Sequence, residues 1–176
     1  MRAELICHPD RPARSVKRVR ASIAPNTMGL SQLEYRVFSD EALALPAATQ
    51  PKRRDELWRT TCFEMFTQVD HEPGYQEYNF SPSRDWAAYG FTSHRKGRCD
   101  LSIAAPAISG WGDVTGYVLE VKMDLIGLWA SECRIGLSAI IEEADGTKSY
   151  WALTHPTGEP DFHHPDCFAL ALPPLV

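Results

Sequence analysis

The segment Asp55–Phe66 carries the residue types best suited to binding chemistry in this chain. If Thr61–Val69 forms a strand, Cys62, Glu64 and Phe66 share one face of it, and the residues between them take the other. Both faces are then apolar, so Glu64 stands in a hydrophobic strand, where a carboxylate is unfavourable unless it finds hydrogen-bond donors. Two interpretations stay open: a structural ion pair, with Arg53, Arg84 or Arg134 as partner, or a polar ligand patch.

The segment Tyr75–Ser81 adds polar groups of the same kind. As a strand it places Glu77 and Asn79 on one face, which supplies a second carboxylate and an amide. The turn before it does not fix the register, so Glu64 lies opposite either Asn79 or Phe80.

Trp58 is the aromatic residue most favoured for exposure, because it stands beside a turn and a charged run. Sugar-binding surfaces combine an aromatic plane, which packs against the C–H face of a pyranose ring, with carboxylate and amide acceptors for the hydroxyls. Together with Trp58, the residues Glu64, Glu77 and Asn79 supply both. Any one of the other tryptophans is expected more in the core than at a binding surface, and only Trp58 stands where the neighbouring residues favour exposure.

The stretch His155–Asp166 contains histidines and carboxylates, which are common metal ligands. Adjacent histidines on an extended chain point in opposite directions, so His163 and His164 are poorly placed to share one ion. We favour a proline-fixed loop packed against the end of the sandwich. The common catalytic motifs are lacking, and Glu64 with Glu77 as a glycosidase pair is disfavoured, so we expect no catalytic residues and no metal.

Short strands must position these residues, since 13 prolines and 11 glycines leave few windows for a long helix. Sequence alternation and β-branched or aromatic enrichment predict strands at Ala3–Cys7, Val16–Ile23, Leu30–Phe38, Thr61–Val69, Tyr75–Ser81, Trp86–Phe91, Leu101–Ile108, Val114–Met123, Arg134–Glu142, Ser149–Leu153 and Phe168–Leu172. Turn signals between them include Ser109-Gly110 and Asp145-Gly146. The chain, residues 1–176, is predicted to be one all-β domain, an antiparallel jelly-roll-like β-sandwich of roughly nine to eleven strands.

The predicted strand Thr61–Val69, together with Trp58 before it, also fits a helix. The apolar residues at helical spacing are Trp58, Cys62, Met65, Phe66 and Val69. The Pro73-Gly74 turn, followed at once by Tyr75–Ser81, favours a hairpin and therefore a strand. We expect helix only in short turns, with Ile126–Ser131 the best candidate.

Composition restricts the class of protein further. Charged residues make up 23% of the chain and its net charge is −5, which gives no electrostatic basis for nucleic-acid binding. We also expect no membrane association and no export, because no long apolar run or signal-peptide core is present. The five cysteines show neither a disulfide framework nor a zinc signature, which fits a reducing cytoplasm.

The chain resembles the DOMON-like domains, which are related to the family 9 carbohydrate-binding modules, and especially bacterial DOMON-like proteins. The residues Asp55-Glu56-Leu57-Trp58 and Phe63-Glu64-Met65-Phe66 look like that family's Asp-x-Leu-Trp and Glu-x-Phe motifs. The segments Tyr75–Pro82, Gly116–Met123 and Ile135–Ser138 are similar to its later strands.

The resemblance implies a jelly-roll-like sandwich and a saccharide held between two tryptophans. Trp58 matches the first tryptophan, and Glu64 matches a sugar-contacting glutamate. Where the family has its second tryptophan, this chain offers Phe162 and nearby histidines, of which we select His155. We therefore expect a non-catalytic module for a small saccharide or sugar-like metabolite.

Two alternatives remain. A branch of the same family binds heme, usually through a methionine and a histidine. The residues available for such ligation are Met28, Met65, Met123, His94, His155 and His163. The second alternative is a protein-interaction module without a small ligand. We favour the saccharide, with no resident cofactor.

Overall fold

The computed structural model describes residues 1–25, 30–113, 115–125 and 132–172. This part of the chain is an antiparallel β-sandwich, as the sequence predicted. Its strands are β1 Arg2–Cys7, β2 Val16–Pro25, β3 Leu30–Ser39, β4 Cys62–Val69, β5 Tyr75–Phe80, β6 Trp86–Phe91, β7 Cys99–Asp100, β8 Ala107–Asp113, β9 Gly116–Asp124, β10 Cys133–Glu142, β11 Lys148–Ala152 and β12 Leu170–Leu172. The predicted helical turn at Ile126–Ser131 lies outside the described residues.

The strands form two layers joined by β1. Residues Arg2–Leu5 pair with β2, whereas Ile6 and Cys7 pair with β11, so β1 passes from one layer to the other. Layer A contains β2, β3, β9 and β8 in that order beyond β1. Layer B contains β11, β10, β4, β5, β6 and β7, with β12 also beside β10.

The main core lies between the two layers. Phe63 and Met65 of β4 pack there with Tyr35 and Leu119 of layer A, and all four are fully buried. The Tyr35 hydroxyl donates a hydrogen bond of 2.7 Å to the backbone carbonyl of Glu64, and the rings of Tyr35 and Phe63 are 5.1 Å apart. Because β4 alternates, burial of Phe63 and Met65 in this core turns Glu64 to the outer face of layer B.

One predicted strand and one predicted turn are wrong. Of the predicted strand Leu101–Ile108, only the last two residues are in β8, which continues to Asp113 through the expected turn at Ser109-Gly110. Position 110 of β8 requires a glycine, because a side chain there would overlap the hydroxyl of Tyr117 on β9. The glycine therefore makes room for a packed aromatic ring and does not form a turn.

Other differences are small. The two-residue strand β7 was not predicted, and it brings the described strands to twelve, one more than the upper expectation. Helical structure in the described residues consists of 3-10 turns at Leu57–Arg59 and Pro165–Cys167. Within the described ranges, no helix is long and apolar enough to cross a membrane.

Candidate functional site

The outer face of layer B brings the predicted polar residues together. Glu64 pairs in register with Asn79 on β5 and with Ser138 on β10, which answers the question of register that the sequence left open. Glu77 pairs with Phe66, two residues further along β4. The side chains of Glu64, Glu77, Asn79 and Ser138 therefore project from the same face of the sheet.

A cavity of about 510 Å³ lies on this face. Glu64 and Glu77 belong to its floor, since both project from the strands beneath it. Its aromatic lining consists of Trp58, Tyr89, Phe91, Tyr150 and Phe162, and its other charged or titratable lining residues are Glu56, Arg95, Arg98 and His163.

Glu64 does not form the structural ion pair that was one of its two interpretations. Within the described residues it has no salt bridge with Arg53, Arg84 or Arg134, and Arg53 instead binds Asp100 at 2.9 Å. The Glu64 carboxyl accepts a hydrogen bond of 3.3 Å from the Ser138 hydroxyl. Its side chain is buried yet lines the cavity, so it is available to a ligand.

Burial controls the protonation of Glu64. Desolvation first, and then the charge of nearby Glu77, raise its pKa from 4.5 to about 8, against smaller lowering effects of Ser138 and Arg95. At neutral pH the Glu64 carboxyl is therefore mainly protonated. In that form it donates one hydrogen bond as well as accepting others.

Glu77 is held by two different groups. The Asn79 amide donates a hydrogen bond of 2.7 Å to its carboxylate, and the His163 Nε2 atom lies 3.8 Å from it. Burial raises the pKa of Glu77, while the Asn79 hydrogen bond and the charges of Arg98 and Arg95 lower it. Asn79 thus positions Glu77, and being almost fully buried it does not itself line the cavity.

A short hydrogen-bond chain fixes the His163 ring. The Tyr75 hydroxyl accepts a hydrogen bond of 3.0 Å from the Arg95 backbone N–H and forms a second one, of 2.8 Å, with His163 Nδ1. The other ring nitrogen, His163 Nε2, faces the Glu77 carboxylate at 3.8 Å. Burial, followed by the charge of Arg95, lowers the pKa of His163 to about 4, which leaves this imidazole neutral at pH 7.

Trp58 stands at the rim of the cavity. It belongs to the 3-10 turn Leu57–Arg59. In this turn the Leu57 side chain is buried, whereas the Trp58 side chain is 51% exposed. The Arg59 guanidinium lies 5.6 Å from the centre of its ring and is also bound to Glu56 at 2.8 Å. An exposed indole beside a cavity offers a flat surface for a ligand.

The loop predicted at His155–Asp166 packs through Phe162 against the outer face of layer B, and not against the end of the sandwich as the sequence predicted. Phe162 is buried beside Tyr150 at the cavity, with ring centres 6.2 Å apart. Among the residues that the structure describes, no group of three or more histidine, cysteine or acidic side chains could hold a metal ion.

His155 does not line this cavity, although its ring lies 6.2 Å from that of Phe162. Its Nε2 atom is 2.8 Å from the carbonyl of Ile6, and its ring packs edge-on against His8 with centres 4.8 Å apart. The structure therefore brings Trp58, Glu64, Glu77 and Phe162 together, and leaves His155 outside.

The sequence analysis missed several residues of the cavity. Tyr89 faces Glu77 across β5 and β6 and could have been found from strand alternation. Arg95 and Arg98 lie in the loop after β6, and nothing in their sequence spacing marks them. For His163, the sequence suggests only three roles: a metal ligand, a heme ligand or a substitute for the second tryptophan.

The heme ligands proposed from sequence do not meet in the described structure. Met65 and Met123 are buried in the core between the layers. His163 lies on the opposite, outer face of layer B, with Glu77 and Tyr75. Met28 is outside the described residues.

Comparison with known proteins gives fold similarity without sequence similarity. No family model and no curated protein matches the chain. A solved structure from Bacteroides uniformis, of a protein to which carbohydrate binding has been attributed, superposes with a TM-score of 0.65 at 14% identity, over 95% of this chain and 83% of that one. This match shows a shared fold.

Two further matches are structures of a family 9 carbohydrate-binding module from Caldicellulosiruptor kristjanssonii. The complex with cellotriose has a TM-score of 0.47 at 8% identity, over 80% of this chain and 67% of that one. The complex with glucose has a TM-score of 0.47 at 10% identity, over 80% and 69%.

Proposed function

We propose that this chain is a non-catalytic module that binds a small saccharide in the cavity on the outer face of layer B. The observation that carries the proposal is Glu64, a buried carboxyl without a salt bridge among the described residues, which faces a cavity rimmed by the exposed indole of Trp58. The carbohydrate binding attributed to the Bacteroides uniformis protein of similar fold supports the same class of ligand.

The lining suits a ligand that is apolar on its faces and polar at its edges. Trp58 and Phe162 present aromatic surface to the C–H groups of a sugar ring. Glu64 and Glu77 provide acceptors, and protonated Glu64 also provides a donor, for the ring hydroxyls. The lining as a whole is divided about evenly, with seven aromatic or aliphatic residues and six charged or titratable ones.

The placement of the two carboxyls favours binding over hydrolysis. Glycosidases place their two carboxyl groups on either side of the bond that is cleaved. Glu64 and Glu77 instead project from adjacent strands of one wall, so both approach a ligand from the same side.

Isothermal titration with a panel of monosaccharides and disaccharides tests the proposal. We expect Trp58→Ala to weaken binding at least tenfold, which corresponds to about 1.4 kcal/mol. Trp111→Ala is the matched control, because Trp111 is similarly exposed, at 47%, but lies in layer A. Equal affinity of both variants, or no binding by any sugar, would contradict the proposal.

A further inference from the structure

We infer that the preferred ligand carries a protonated amine, as an amino sugar does, and that this amine binds between Glu64 and Glu77 on the cavity floor. The inference rests on the proposed function, since it specifies the class of saccharide for the same cavity. It comes from a difference between the charges at the rim and those on the floor.

The charges at the rim are already paired with one another. Each of the three ion pairs joins at least one lining residue to a neighbour of opposite charge: Glu56 to Arg59 at 2.8 Å, Arg98 to Asp55 at 3.4 Å, and Arg95 to Asp161 at 2.7 Å. An incoming ligand therefore meets a rim whose charges are largely compensated.

Among the described residues, the carboxyls of the floor form no ion pair of this kind, and the charges of Arg95 and Arg98 act on them only from beyond 4 Å. Within the described residues, neither Glu64 nor Glu77 has a lysine or arginine nitrogen within 4 Å, and their side chains contact Ser138, Asn79 and His163. The His163 imidazole is neutral at pH 7, so it adds no positive charge. A buried pair of acids with this environment lacks one cation.

An ammonium group supplies that cation in a suitable form. Its three N–H donors match the acceptors of two neighbouring carboxylates. The Tyr89 ring beside the floor already has the Arg98 guanidinium 4.0 Å from its centre, which shows that an aromatic face at this cavity accepts a cation.

The protonation of Glu64 adds a measurable consequence. Glu64 and Glu77 interact with each other and with seven further titratable or charged groups: Tyr35, Cys62, Tyr75, Tyr89, His163, Arg95 and Arg98. An ammonium between the two acids favours the ionised form of Glu64 and so lowers its pKa. Binding at pH 7 therefore releases a proton, and the affinity rises between pH 6 and pH 7.5.

The experiment compares glucosamine, galactosamine and mannosamine with their N-acetyl forms and with glucose, by isothermal titration at pH 7 in two buffers of different ionisation enthalpy. N-acetylation keeps the ring and removes the charge, so it is the matched ligand control. We expect at least one amine to bind tenfold or more tightly than its N-acetyl form, with proton release to the buffer.

Substitutions of the two acids test whether the preference for an amine arises on the cavity floor. Glu64→Gln and Glu77→Gln should each remove most of the preference for the amine, and Glu64→Gln should also remove the proton release. Glu120→Gln, on β9 in layer A, is the control variant and should retain both. Thermal unfolding verifies that each variant is folded.

The outcomes separate the two proposals. Neutral sugars that bind as tightly as every amine would overturn the inference and leave the proposed function standing. A preference that survives both glutamine substitutions would also overturn it. Failure of every sugar, charged or neutral, would overturn the proposed function together with the inference.

Discussion

Glu64 of β4 and Glu77 of β5 lie diagonally across two paired strands, on the outer face of layer B, where both line the same cavity. The register causes this relationship, because Glu64 pairs with Asn79 and Glu77 pairs with Phe66. Each carboxyl raises the free energy of ionising the other, and burial adds to the effect. Two such acids in one cavity lower the free energy of unfolding of the protein, and a cost of this kind is typical of a binding site.

Glu64→Gln should increase the stability of the protein at pH 8. The pKa of Glu64 is about 8 in the folded protein and 4.5 as its ordinary value, so the folded state holds a proton that the unfolded state releases. The contribution of Glu64 to stability is therefore fully present below pH 4.5 and is lost as the pH rises to about 8. Urea unfolding at pH 5 and pH 8 should show a gain on the order of 2–4 kcal/mol at pH 8 and little gain at pH 5.

Glu120→Gln provides the comparison for that measurement. It removes a carboxyl from β9 without touching the cavity, so its effect should be small and similar at both pH values. A Glu64→Gln variant that is less stable than the wild type at pH 8 would contradict the buried, protonated state of Glu64.

His163 should remain neutral until the solution becomes strongly acidic. Its pKa is lowered from 6.5 to about 4, mainly by burial, so the stability that depends on neutral His163 is present above pH 6.5 and is lost as the pH falls through 4. Nitrogen-15 NMR of the imidazole should show a neutral ring at pH 7 and a midpoint near 4. A midpoint close to 6.5 would show that the ring is not buried as described.

Tyr75→Phe should destabilise the protein by about 1–3 kcal/mol, because it leaves the partly buried His163 Nδ1 atom and the Arg95 backbone N–H without the Tyr75 hydroxyl. Thermal unfolding measures the loss. Tyr150→Phe is the matched control, since the Tyr150 hydroxyl has no hydrogen bond among the described residues and lines the same cavity. Equal losses for the two variants would remove the role assigned to the Tyr75 hydroxyl.

Gly110→Ala should destabilise the sandwich by about 1–3 kcal/mol through overpacking. A methyl group at Gly110 would lie 1.9 Å from the Tyr117 hydroxyl and 2.7 Å from the ring carbon that bears it. Tyr117→Phe removes the hydroxyl, so the double variant should recover part of the loss. Chemical denaturation of the two single variants and the double variant gives this coupling, and strictly additive losses would show that the overlap with Tyr117 is not the cause.

All five cysteines should be thiols, as the sequence predicts, and the structure contains them as thiols. Titration of denatured, unreduced protein with a thiol reagent should count five groups, whereas three or one would indicate disulfides and an oxidising compartment. In the native protein Cys99 should react first because it is exposed, and Cys99→Ser should remove that fast phase. Cys62 should be slow, since it is buried and its pKa is raised.

Much of this fold was predictable because it depends on local patterns. Alternation along Cys62–Val69 and the Pro73-Gly74 turn determined a hairpin and assigned Glu64 to the face opposite Phe63. The failure at Gly110 has the same origin, since glycine signals a turn locally, whereas here a ring from the neighbouring strand required it. Local sequence cannot distinguish these two uses of glycine.

The sequence by itself determined the residue types of the site and the strands of Glu64 and Glu77, because side-chain alternation follows directly from backbone geometry. Only the tertiary structure decided the register of these strands and left Glu64 without an ion pair among the described residues. It also placed Arg95, Arg98 and His163 in the lining of the cavity, from loops distant in sequence. It also put Phe162 into the lining of the cavity and left His155 outside that lining, although the two rings lie 6.2 Å apart. These outcomes depend on how loops pack against a finished sheet, and on charges that interact through space, and neither leaves a periodic signal in the sequence.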